Sequence, residues 1–134
     1  MQKPKLKNYN VKVLIILGNQ TQDDVTRDEI RQILIDKFMS LNYSILFLLN
    51  KFATSSGIIK EVYAEIILKI ICERDLVLSS EIIDEVVSLV SMDTLTIYMM
   101  QSDSLEIKDK CRNEFWRRAL EKEENVNLVK KKYK

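Results

Sequence analysis

An all-α fold is predicted by three observations on this 134-residue sequence. Glycine is nearly absent, one sixteen-residue stretch carries a polar residue at every fourth position, and helix-opening signals recur along the chain. Only Gly18, Gly57 and a single proline are present. Sheet hairpins and phosphate-binding loops need glycine where φ turns positive or the backbone approaches closely, so a turn-rich fold is disfavoured. At 46% hydrophobic and 31% charged, the composition is that of a globular chain rather than a disordered one.

Residues 11–17 are short and apolar, and fit a strand or a first helix; the all-α composition favours the helix. Thr26-Arg27-Asp28-Glu29 reads as a capping box, and Ile30, Ile33, Leu34 and Phe38 follow at helical spacing, predicting a helix over 26–39. Residues 43–53 are too apolar to show a periodicity and fit a buried helix or a buried strand. Helix is preferred, because few other segments could supply partner strands. Thr54-Ser55-Ser56-Gly57 is the clearest break.

Residues 58–73 are the most informative segment. Glu61, Glu65, Lys69 and Glu73 mark a narrow polar stripe, and most other positions are large and apolar. A helix wetted on so thin an edge is expected at the centre of the fold, with Glu61 and Glu65 solvated on that edge. Ser79-Ser80-Glu81 opens a helix running to about Met92, and Asp93-Thr94 restarts a short one over 95–101. Asp103 with Glu106 caps a last helix over 104–124, whose expected inner face is Leu105, Ile107, Cys111, Phe115 and Leu120.

These segments make a single-domain bundle of six to seven helices around 58–73. A short armadillo- or HEAT-like stack of helical hairpins is the alternative, and the absence of a repeat at fixed period counts against it. The helical domain spans 11–125, between a basic arm at 1–10 and a basic tail at 126–134.

Charge is distributed unevenly. Eight lysines lie in the first twelve and last five residues, and residues 13–125 hold 13 basic against 20 acidic side chains. Lys3, Lys5, Lys7, Lys130, Lys131, Lys132 and Lys134 are candidates for holding a polyanion such as nucleic acid. The counter-reading is that they are solvated ends that offset an acidic body. The last helix is the more promising surface. It carries Lys108, Arg112, Arg117 and Arg118 beside Trp116, the sole tryptophan. Tryptophan next to arginine is enriched at interface hot spots, although Trp116 could also complete the core. Met92, Met99 and Met100 either fill the core or line a cleft for a partner helix.

Much chemistry is set aside. Histidine is absent, which removes the usual nucleophilic triads, and two cysteines without histidine make a zinc site implausible. Cys72 and Cys111 are read as reduced core residues. No glycine-rich nucleotide cradle and no EF-hand loop is present. No secretory signal or membrane-spanning run is visible, so the chain is expected to be intracellular, in cytoplasm or nucleus. No cofactor, metal or catalytic residue is expected. The reading is a non-enzymatic protein-interaction or adaptor module in a larger assembly or homo-oligomer, with nucleic-acid binding as the alternative.

Overall fold

The computed structural model describes residues 5–132, with side chains described through residue 123. Among the described residues the chain forms seven α-helices and no strand. A 3-10 turn, Leu6–Asn8, precedes α1 (Val11–Gln20), α2 (Asp24–Met39), α3 (Ile45–Thr54) and α4 (Gly57–Arg74). Then come α5 (Ser80–Leu89), α6 (Met92–Gln101) and α7 (Leu105–Lys132). Packing groups them into two units, Met1–Leu76 and Val77–Lys134.

In the first unit α1, α2 and α3 all pack on α4. Half of α4 is buried, including Ile58, Val62, Ile66, Ile67, Ile70 and Ile71, so it is the central helix that its apolar circumference predicts. β-branched residues cost some helix propensity. Burying each one returns about 1.5–3 kcal/mol, so packing overrides the local preference. α2 contributes Ile30, Leu34 and Phe38 at fourfold spacing, and α3 contributes Leu48 and Phe52. Phe38 stacks on Tyr63 at 5.6 Å and 20°. Residues 11–17 are helical, within an α1 that Asn10 opens by accepting the Val13 N–H at 2.9 Å.

Both glycines meet at one junction. Gly57 has φ +66, and a Cβ there would stand 2.5 Å from Asn19 Oδ1. That oxygen accepts the Ile58 N–H at 2.8 Å, while Ser56, the local capping position, makes no side-chain bond to the helix. α4 therefore takes its N-terminal cap from the end of α1. A Cβ on Gly18 would lie 2.5 Å from Ile58 Cδ1 and 3.2 Å from Ile30 Cγ2, so the missing side chain lets α1 close on α2 and α4.

Several boundaries differ from the sequence reading. α2 begins at Asp24, because Asp23 rather than Thr26 caps it. Thr26 donates its hydroxyl to the Asp23 carboxylate, and with the Val25 N–H this holds Asp23 below the usual carboxylate range. α5 ends at Leu89, not near Met92, because Ser91 accepts the Thr94 N–H at 3.1 Å and opens α6. Ser104, not Asp103, caps α7 by accepting the Ile107 N–H at 3.3 Å. The α7 backbone also runs past 124, to Lys132.

In the second unit α6 folds back along α7 and α5 packs against α7. The core is small: Ile83, Val86, Val87, Val90, Leu95, Ile107 and Cys111. Leu105 and Leu120, expected to face inward, are 76% and 54% exposed. Ile107, Cys111 and Glu114 fix the inner face of α7. At 100° per residue, Leu105 lies about 200° from Ile107, on the outside.

Candidate functional site

The five residues Lys108, Arg112, Trp116, Arg117 and Arg118 of α7 do not form one patch. Lys108, Arg112 and Trp116 are four apart and share a face. Trp116 is 55% exposed and stands edge-to-face with the Phe115 ring, at 5.6 Å and 87°. Leu105 and Leu120 lie on the same side of the helix, so this face reads Leu105, Lys108, Arg112, Trp116, Leu120. Arg112 is exposed and pairs with Asp109 at 2.6 Å.

Arg118, two residues beyond Trp116, points about 200° away and is structural. Its guanidinium donates to the carbonyls of Val90 at 2.7 Å, Ser88 at 2.8 Å and Val87 at 3.3 Å. These are carbonyls of the last turn of α5 and of Val90, the residue that ends it, which have no intrahelical donor. Arg118 thus caps α5 from α7. Glu114, 8% exposed, lies within 3.7 Å of Arg118 and accepts from Arg117 Nε at 2.8 Å. Arg117 also reaches Glu121 at 3.0 Å. Hydrogen bonding to Glu114, followed by its charge, pushes the Arg117 guanidinium up and keeps it cationic. Lys110 pairs with Asp84 of α5. The arrangement leaves Trp116 at the centre of an outward amphipathic face, and turns Lys110, Arg117 and Arg118 to internal bonds.

The lysine candidates at the ends divide by position. Lys5 and Lys7 are exposed and border a shallow surface depression with Leu6, Glu29, Gln32 and Ile33 of α2. Lys3 and Lys134 lie outside the described residues, as do the side chains of Lys130, Lys131 and Lys132. Among the methionines, Met100 is exposed, Met99 half-buried and Met92 at the edge of exposure. Cys111 is buried and Cys72 half-buried, and neither is in a disulfide.

One polar cluster was not anticipated from the sequence. Glu61 is not a solvated edge residue: it accepts from both Arg27 and Arg31 of α2, and Arg31 also reaches Asp28. The bond to Glu61 pushes the Arg27 guanidinium up. The signal was available in the fourfold spacing of Arg27 and Arg31 on α2 and in the acids of the polar stripe on α4. Among the described residues no three cysteine or acidic side chains converge as metal ligands, and no helix is long and apolar enough to cross a membrane. No protein-family model, no curated protein and no solved structure matches the chain.

Proposed function

We propose that the chain is an intracellular, non-enzymatic helical interaction module that binds a protein partner, or a second copy of itself, through the Trp116 face of α7. The carrying observation is the exposure of Trp116 between Leu105 and Leu120 on a face that also bears Lys108 and Arg112. A large ring held outward on a rigid helix offers much contact area at low conformational cost. Lys108 on that face favours a partner with an acidic residue beside its apolar contact. Nucleic-acid binding draws less support, because Lys110, Arg117 and Arg118 are engaged by carboxylates or carbonyls of the chain.

The test uses immobilised wild-type chain and its Trp116→Ala variant, matched by circular dichroism, to capture proteins from an extract of the source cells. A sedimentation series over concentration runs alongside to read self-association. A protein or oligomer retained by the wild type and lost in the variant supports the reading. An unchanged set of retained proteins with unchanged sedimentation rejects it.

A further inference from the structure

The outward stripe of α7 has an internal symmetry. Leu105, Asp109, Arg112 and Trp116 are all exposed, and their spacing is four, three, four from either end. At 100° per residue they fall within an arc of about 60°, on the side of α7 opposite Ile107, Cys111 and Glu114. An alternation of fours and threes keeps a helical stripe turned towards a second helix. The order is apolar, acidic, basic, apolar, so the stripe read backward is its own complement. Large apolar residues stand at both ends, and the middle pair exchanges sign. Asp109 and Arg112 pair within the helix at 2.6 Å, yet each side chain is 55% exposed.

Self-complementarity of this kind is what a two-fold interface requires: residue i meets residue j, and j meets i. With α7 laid antiparallel on the α7 of a second copy, about a point midway between Asp109 and Arg112, Leu105 comes against Trp116 of that copy at both ends. In the middle Asp109 meets Arg112 of the copy, twice. The two intrachain pairs then join in one ring of four alternating charges, and no charge of the stripe is buried without its opposite. A parallel pairing would instead set Asp109 against Asp109 and Arg112 against Arg112.

We propose that the occupant of this face is a second copy of the chain, its α7 packed antiparallel through Leu105, Asp109, Arg112 and Trp116. This rests on the reading of the Trp116 face as an interaction surface and narrows its partner to one. A single helical seam makes an interface at the low end of the range, under about 1,200 Å², so association is weak and shows in concentrated protein.

Sedimentation equilibrium of the full chain, taken up to about millimolar concentration, tests this. The wild type should move from monomer towards dimer as it is concentrated. Asp109→Arg and Arg112→Asp, each checked for fold by circular dichroism, should each weaken dimerisation at least about tenfold. Every such change acts twice across the axis and puts like charges in contact. Mixing the two variants restores opposite charges at every contact and should recover a heterodimer. The double variant Asp109→Arg, Arg112→Asp should dimerise within about threefold of the wild type. A wild type that stays monomeric throughout, or a dimer indifferent to both single variants, overturns the proposal. A monomeric chain whose extract partner is still lost on Trp116→Ala overturns it while leaving the wider reading of the face in place. A monomeric chain with no Trp116-dependent partner rejects both.

Discussion

Removing the Arg118 guanidinium should loosen the second unit far more than a surface arginine would suggest. Arg118→Ala deletes donors to three carbonyls at the end of α5, two of them at 2.7 and 2.8 Å. Hydrogen bonds to charged groups contribute about 1.5–3 kcal/mol each, and carbonyls stripped of partners lose part of that unless water replaces the donor. Glu114, nearly buried, would keep only Arg117. With the Arg118 side chain 21% exposed, hydration recovers some of the loss, and the expected cost is about 2–4 kcal/mol. Arg118→Lys keeps the charge but not the fork that spans several carbonyls, and should cost about half as much. Arg112→Ala, which removes one exposed pair, should cost less than about 0.5 kcal/mol. Urea unfolding followed by circular dichroism, with amide exchange read in α5, gives these values. A loss from Arg118→Ala no larger than that from Arg112→Ala would refute the capping argument, and full recovery by lysine would reduce it to simple charge.

Three further outcomes follow from the first unit. Gly57→Ala meets both a left-handed backbone and the Asn19 oxygen, and should cost about 2–3 kcal/mol by urea unfolding; Asn19→Ala alone should cost about 1 kcal/mol, and the double variant less than the sum. Glu61→Gln takes the countercharge from Arg27 and Arg31, the latter 9% exposed, and should destabilise by about 1–3 kcal/mol in the same assay, with a near-neutral result contradicting the cluster's role. Burial pushes the Tyr63 phenol above its ordinary value, so its contribution to stability is present below about pH 10 and is lost as pH rises through the raised value. Phenolate absorbance should show this late titration, and Tyr63→Phe should remove it.

The elements legible in the sequence are those whose signal is periodic. α4 declared itself through its fourfold polar stripe, and Ile30, Leu34 and Phe38 through their spacing on α2. Boundaries were harder, because Asp23, Ser91 and Ser104 compete with nearby residues that offer equally good capping oxygens. Long-range caps could not be read at all: nothing local links Asn19 to Ile58, or Arg118 to the end of α5. The α7 surface was half legible. The mixture of Trp116 with basic residues was visible, but its division needed the phase of the helix, fixed by Ile107, Cys111 and Glu114. With that phase known, 100° per residue sends Trp116 outward and Arg118 inward. Glu61 was misread because its stripe was treated as uniformly wet, whereas α2 covers one end of it.

The central claim, that Trp116 is held outward to be covered by a partner, rests on the chain's sole tryptophan, so its fluorescence reports one site. Acrylamide quenching of the isolated chain in dilute solution, repeated with the partner retained by the wild type, is the most direct measurement. An indole open to the quencher alone and shielded in the complex is the predicted result. An indole shielded in the dilute chain, or equally open in both, would contradict the account.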